Sequence, residues 1–371
     1  MKTVRDFDFS DKKVIVRLDL NVPLDNGKIL DDYRITTVIP TLKHILGKCK
    51  KMIILSHAGR PKGERVESLS LKPVAQRLSE LLGQEVAFGD LEDVPESRIV
   101  LLENLRFYPE EKKNDEKFAK KLASLADIYV NDAFAVSHRK HASVVGIPKH
   151  IHGCIGFQLE KELKNLRIEN AEKPVVAIMG GAKLETKVPV IENLLEKVDY
   201  ILIGGAMMFT FYKAKGWEIG ESLLDNEQLR KAKKLMQNKK IILPTDVIIA
   251  KSKDALDFEE VQADDMPEGM IGLDIGPDTL SNYMQILDNA KTIIWNGPLG
   301  YYENEIFAKA TDELAGFLAD LAAKTILGGG DTAAVANKLG LADKFTHVST
   351  GGGAALQLLA GEKLPGLEAL D

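Results

Sequence analysis

Short apolar runs rich in β-branched residues recur along the whole chain, separated by longer amphipathic stretches. In the first part the runs are KVIVRLDL (13–20), KMIILSH (51–57), RIVLLEN (98–104) and DIYVNDAF (127–134). In the second they are PVVAIMGG (174–181), YILIGG (200–205), KIILPTD (240–246), KTIIWNG (291–297) and KTILGGG (324–330). LKPVAQRLSELLG (71–83) and DEKFAKKLASLAD (115–127) carry the helical spacing between them. Strands that are apolar on both faces must be covered on both faces, so this alternation predicts parallel sheets flanked by helices. At 371 residues the chain exceeds one ordinary core, which predicts two domains. No short repeat is present, only two similar α/β halves. The polar, helix-forming FQLEKELKNLRIENAEKP (157–174) is the expected connection between them.

Polar residues and glycines cluster just after nearly every apolar run. In open α/β sheets the carboxyl ends of the strands form the ligand crevice. The first half would therefore gather Asp19, Asn21, His57, Arg60, Glu103, Arg106, Asn131 and Asp132 on one edge, with Arg34 and Arg139 close behind. Asp19 and Asn21 are two apart, so on a strand both would face the same way. Several arginines behind separate strands suit a ligand carrying phosphate and carboxylate groups, because the guanidinium fork pairs with both. His138 and His141 read as structural. Charge agrees: residues 1–155 hold 26 Lys+Arg against 22 Asp+Glu, or +4, and the remainder is −10. The lysines are dispersed and no aromatic–basic stripe appears, which argues against a nucleic-acid partner.

The second half would gather Gly180–Lys183, Gly204–Ala206, Asp246, Asn296–Gly300 and Gly328–Thr332. Neither GxxxxGK[ST] nor GxGxxG occurs, against a standard P-loop and a standard dinucleotide fold. Three glycine turns remain, in WNGPLGYYE (295–303), GGGDT (328–332) and STGGGAA (349–355). GGAKLETK (180–187) adds Lys183 and Lys187, expected one helical turn apart on one face. Together these suit a polyphosphate. Asp331 is the odd member, since a carboxylate repels an anion. It is either a plain helix N-cap or a metal ligand. No apolar run approaches the ~20 residues of a membrane span. The opening MKTVRDFDFSDKK lacks the apolar core of a signal peptide, and Cys49 and Cys154 form neither a disulfide framework nor a metal spacing. A cytoplasmic protein with buried, reduced thiols is the expectation.

VIVRLDLNVP, SHAGRPKG, ENLRF, NDAF, HRKHAS, GGAKLETK, IGGAMMFTF, LPTDV, GLDIGP, WNGPLGYYE, GGGDTAA and HVSTGGGAAL follow one another in the order of the phosphoglycerate kinase family. The chain resembles that family from about residue 4 to the closing LPGLEAL. The resemblance implies two Rossmann-like domains with parallel sheets joined by a helical hinge. Residues 1–155 with the returning segment 355–371 would bind the acid, 156–172 would be the hinge, and 173–354 would bind nucleotide. It also implies reversible phosphoryl transfer between 1,3-bisphosphoglycerate and ADP, giving 3-phosphoglycerate and ATP with Mg²⁺, by a monomer without nucleic-acid or membrane partners.

Carried over by position, the acid site would comprise Asp19, Leu20, Asn21, Arg34, His57, Ala58, Gly59, Arg60, Arg106 and Arg139. The nucleotide site would comprise Lys183, Gly272, Asn296, Pro298, Glu303, Gly328, Gly329, Gly330, Asp331 and Thr332, with Glu303 at the ribose and Thr332 donating to phosphate. Arg34, Lys183, Lys187, Gly330 and Gly353 would act on the transferring group, and Asp331 would hold Mg²⁺. FAVSHRKH, Ala58 and Asp278 depart from the family's commoner FGTAHRAH, leucine and lysine; none removes a residue assigned to chemistry. Two other classes would share the alternation. A nicotinamide-linked dehydrogenase needs the missing dinucleotide fingerprint, and a non-catalytic sensor would lack Arg34, Lys183 or Asp331.

Overall fold

The first part of the chain forms β1 (Lys13–Leu18), β2 (Leu24–Asp25), β3 (Lys28–Ile29), β4 (Lys51–Leu55), β5 (Ala87–Gly89), β6 (Ile99–Leu102), β7 (Ile128–Asp132) and β8 (Gly153–Ile155). These come from a computed structural model that describes residues 1–370. Six of the strands pair in the order β5-β6-β4-β1-β7-β8, every pair parallel. The strand period of two divides β1 between the faces of the sheet: Val14, Val16 and Leu18 enter one apolar core and Ile15 the other. Arg17 lies on the Ile15 side and is fully buried.

Helix Lys72–Leu82 turns Val74, Ala75, Leu78 and Leu82 inward and ends at Gly83 in the left-handed conformation. Helix Glu116–Ala123 begins at Asp115, whose carboxylate accepts the Phe118 N–H at 2.9 Å. From β1 the chain moves outward to β4 and β6, then returns to place β7 on the other side of β1. That reversal of strand order lies at β1/β7, the position where open sheets form their crevice.

The second part adds β9 (Val175–Met179), β10 (Tyr200–Ile203), β11 (Ile241–Ile242), β12 (Asp246–Ala250), β13 (Glu259–Gln262), β14 (Ile271–Ile275), β15 (Thr292–Asn296), β16 (Lys324–Gly328) and β17 (His347–Val348). Another parallel sheet runs β11-β10-β9-β15-β16-β17, with its reversal at β9/β15. The alternation of the sequence thus yields the expected α/β class with two parallel sheets. The run KIILPTD does not make one strand. It supplies β11 and, beyond Pro244, Asp246, the first residue of β12, which joins β13 and β14 in an antiparallel sheet.

Two compact units result, Met1–Lys164 with the tail from Lys363, and Asn165–Glu362. The helix predicted over 157–174 covers only Phe157–Leu166. Helix Gly353–Leu359 stays with the second unit, where Asn193 donates to the Leu359 carbonyl at 2.5 Å. In the first unit the tail is tied by Gly366 N–H to the Ser137 carbonyl at 2.8 Å. Cys49 and Cys154 are buried free thiols, as expected. Among the described residues no helix is long and apolar enough to cross a membrane.

Candidate functional site

In the first unit the crevice begins where β1 ends. The strand stops at Leu18, so Asp19 and Asn21 are not alternating strand positions. They sit in a turn in which Asp19 Oδ1 accepts the Asn21 N–H at 3.3 Å. Both still face the site, for a different reason: Asp19 pairs with Arg34, and Asn21 Oδ1 accepts the Gly59 N–H at 2.9 Å. Ser56 stitches the floor, donating to the Leu18 carbonyl and accepting the Leu20 N–H, both at 2.9 Å. Leu20 and Ala58 are buried in that floor, and Asn104 fixes the Ala58 carbonyl at 2.8 Å. Arg106 donates to the Gly59 carbonyl at 2.6 Å, while Arg60 and Arg139 are exposed.

The first unit's cations are crowded. Burial lowers Arg106 to about 10, and the Arg17 charge adds to the effect. Burial also holds His57 well below its ordinary value, with Arg17, Arg106 and Arg34 adding repulsion. His138 and His141 fall to about 4 and about 3, again mainly through burial. The imidazoles therefore stay neutral at physiological pH, and the positive charge of the crevice is carried by guanidinium groups. Such a site matches a small polyanion.

In the second unit a cavity of about 480 Å³ opens at the carboxyl edge, lined by Met208, Phe209, Ile271, Gly272, Pro298, Tyr302, Glu303 and Asp331 among others. Its body is apolar and aromatic and its rim polar, the usual make-up of a small-molecule pocket. Gly272 is required here. A Cβ at that position would come 2.0 Å from the Phe209 ring, and Ser222 holds its N–H at 2.9 Å.

The glycine turn after β16 adopts φ +95° at Gly329, a conformation that favours glycine. Gly329 caps helix Gly330–Lys338. Asp331 is therefore not the N-cap: it lies inside the first turn, exposed, and accepts from the Tyr302 hydroxyl at 3.3 Å. Thr332 is buried and its hydroxyl accepts the Gly297 N–H at 2.7 Å, so in this structure it ties two turns together. Asp246 does not reach the crevice as a ligand. Its carboxylate accepts the Asp278 and Thr279 N–H groups at 2.9 and 2.8 Å and caps helix Pro277–Asp288.

The paired-lysine expectation needs correction. Lys183 lies outside any helix, residues 185–187 form a turn, and the helix starts only at Val188. Lys183 is exposed, whereas Lys187 is buried and donates to the Asn296 side-chain oxygen. Burial lowers Lys187 to about 8, and Asp331 opposes the shift. Asn296 Nδ2 is buried without a hydrogen-bond partner, and it lies beside Gly328 and Gly329. Gly353 begins helix Gly353–Leu359 after Gly352, whose φ is +48°.

A family model described as phosphoglycerate kinase matches residues 4–362. The chain belongs to the phosphoglycerate kinase family. It is 49% identical to a cytosolic phosphoglycerate kinase of Arabidopsis thaliana and 47% identical to a phosphoglycerate kinase of Clostridium tetani, each match covering 100% of this chain and 98% of the relative. Among solved structures, phosphoglycerate kinase from Coxiella burnetii superposes with a TM-score of 0.90 at 39% identity, covering 100% of this chain and 98% of that one. The enzyme from Pyrococcus horikoshii OT3 gives 0.85 at 34% identity with the same coverage. The protein is thus a phosphoglycerate kinase-type enzyme with that family's α/β fold.

Several side chains at these crevices were not anticipated. Arg17 was visible as one charge inside an apolar strand, and Tyr302 stood within WNGPLGYYE. Ser143 and Phe209 stood within HRKHAS and IGGAMMFTF without an assigned role, whereas Glu111, Ser222 and Lys253 carried no signal, because distant segments bring them to the two sites.

Proposed function

We propose that the protein catalyses reversible phosphoryl transfer between ATP and 3-phosphoglycerate, giving ADP and 1,3-bisphosphoglycerate, by direct in-line displacement. One observation carries this reading. Where β1 ends the first unit sets Arg34 beside Asp19 and Arg106 on the Gly59 carbonyl, and the second unit opens an apolar cavity at the carboxyl edge of its own parallel sheet. The arginine crevice suits the acid's phosphate and carboxylate. The cavity suits a base over Phe209 and Gly272, a ribose at Glu303, and phosphates at Gly328–Gly330.

An ionised carboxylate oxygen of the acid attacks the terminal phosphorus as its bond to the ADP oxygen breaks, so neither a protein nucleophile nor a general base is required. Arg34 from one unit and Lys183 from the other would flank the transferring group, assisted by Lys187 and the amides of Gly330 and Gly353. Lys187, neutral more readily than a surface lysine, would be drawn to the charged form by phosphate. Among the described residues no cluster of three or more His, Cys, Asp or Glu could hold a metal alone. Mg²⁺ fits a different pattern, one carboxylate plus substrate oxygens, and exposed Asp331 on the cavity wall is that carboxylate. The ion would neutralise charge on the phosphates. Transfer then requires the two units to close on both substrates, which also excludes water. We further read the protein as a cytoplasmic monomer.

A coupled assay with ATP and 3-phosphoglycerate tests the reading, alongside Asp331→Asn. Robust turnover is expected for the native chain, and loss of one metal ligand should lower kcat by roughly 100-fold. Scattering should show the largest compaction with both substrates present. Absence of turnover, or near-native kcat in the folded variant, overturns the assignment or the role of Asp331 respectively.

A further inference from the structure

Four buried side chains from four separate segments form one continuous chain behind the acid crevice. Glu111 accepts the Ser143 N–H at 2.9 Å and the Ser143 hydroxyl at 2.5 Å. Ser143 Oγ in turn accepts Arg17 Nε–H at 2.9 Å. Arg17 donates also to the Leu18 carbonyl, and its Nη2 lies 3.2 Å from His57 Nδ1. Glu111, Ser143 and Arg17 are fully buried, and His57 is 4% exposed. The Tyr129 hydroxyl clamps the Ser143 carbonyl at 2.8 Å.

The chemistry of this chain has one direction. A guanidinium has no acceptor, so Arg17 must donate to His57, and His57 Nδ1 must present its lone pair. The single proton of the neutral ring is then on Nε2. Ser143 can accept from Arg17 because its own proton is taken by Glu111. The ionised carboxylate accepts both Ser143 groups and so fixes the hydroxyl, which holds Arg17 Nε–H on Ser143 Oγ and keeps Nη2 against His57 Nδ1.

We propose that Glu111 is a positioning residue of the acid site: acting through Ser143 and Arg17, it locks His57 as the Nε2–H tautomer, so that the ring offers the substrate anion an uncharged hydrogen-bond donor. This rests on the reading of the crevice as the 3-phosphoglycerate site. A neutral donor adds direction without adding to the crowded charge of Arg34 and Arg106. Glu111 is a positioning residue and not a substrate contact; its hydrogen bonds reach the site along this chain.

Nitrogen NMR of protein carrying ¹⁵N-histidine tests the proposal, with His57 assigned by the signal missing in His57→Gln. Native His57 should show an unprotonated Nδ1 and a protonated Nε2, and the Nε2 signal should move when 3-phosphoglycerate is added. In Glu111→Gln the amide cannot accept both the Ser143 N–H and the Ser143 hydroxyl, so Arg17 loses its fixed place against Nδ1 and His57 should become a tautomer mixture. KM for 3-phosphoglycerate should rise roughly 3–10-fold, the worth of one hydrogen bond, with kcat changed far less. Ser143→Ala breaks the same chain at its middle and should give the same signature, which keeps the test decisive if Glu111→Gln fails to fold. A protonated Nδ1 in the native protein overturns the proposal, as does an unchanged tautomer in the folded variants despite a raised KM. If the tautomer is as expected but 3-phosphoglycerate leaves Nε2 unmoved, the reading of the crevice fails, and the donor role with it.

Discussion

Lys187 shows how a single residue's setting becomes chemistry. Its ammonium is buried against Asn296, and desolvation brings it to about 8 from the ordinary 10.5. The sign follows. The folded state sheds this proton before the unfolded state does, so the group's contribution to stability increases as pH rises from about 8 towards 10.5. A nucleotide phosphate beside it would reverse the shift by favouring the charged form. ATP binding near pH 8.5 should therefore take up a proton, seen by calorimetry as a binding enthalpy that depends on the ionisation enthalpy of the buffer. Lys187→Arg, charged throughout, should abolish that dependence. A native enthalpy indifferent to buffer would remove Lys187 from the phosphate site.

Among the elements, helix Phe157–Leu166 depends on a residue far from it in sequence. Asp132, the last residue of β7, accepts the Leu159 N–H at 2.8 Å and so caps the helix start from across the sheet. Burial raises this carboxyl to about 6. Between its ordinary 3.8 and that value the folded state keeps a proton that the unfolded state has lost, so stability falls as pH rises through this window. Asp132→Asn retains an acceptor and should flatten that dependence. Asp132→Ala should cost about 1 kcal/mol, as lost caps do. Hydrogen exchange of peptides spanning 157–166 reads both effects locally. Equal protection of native and alanine proteins would mean the cap is immaterial.

For the whole molecule, the tail from Lys363 is the segment whose place matters most. Leu364 and Leu367 are buried in the first unit, and Asn131 donates to the Gly366 carbonyl at 3.4 Å. Burying those two leucines is worth roughly 3–6 kcal/mol as an upper bound. Both tryptophans, Trp217 and Trp295, lie in the second unit. Deleting residues 363–371 should therefore lower the unfolding midpoint seen by circular dichroism while the tryptophan fluorescence transition stays close to native. If the two transitions shift together, or neither shifts, the tail is not a private support of the first unit. Because the tail holds Ser137, two residues before Arg139, the truncated protein should also bind the acid more weakly.

Composition and pattern alone determined the α/β class. Apolar runs of five or so residues alternating with amphipathic helical stretches select a parallel sheet covered by helices, and that alternation is a local property of the chain. The ordering of motifs such as VRLDLNVP, GGGDT and STGGGA likewise carried the family. Tertiary structure decided what each polar side chain does there. Lys183 and Lys187 are alike in sequence, yet one is exposed and one buried, because the helix begins only after both. Asp331 and Asp246 both stand near strand ends, yet one lines a cavity and the other caps a helix. Glu111 entered the first site without any signal, since its partner Ser143 is 32 residues away. Hydrogen-bond partners are set by which segments the sheet brings within about 3 Å, and no local pattern encodes that distance.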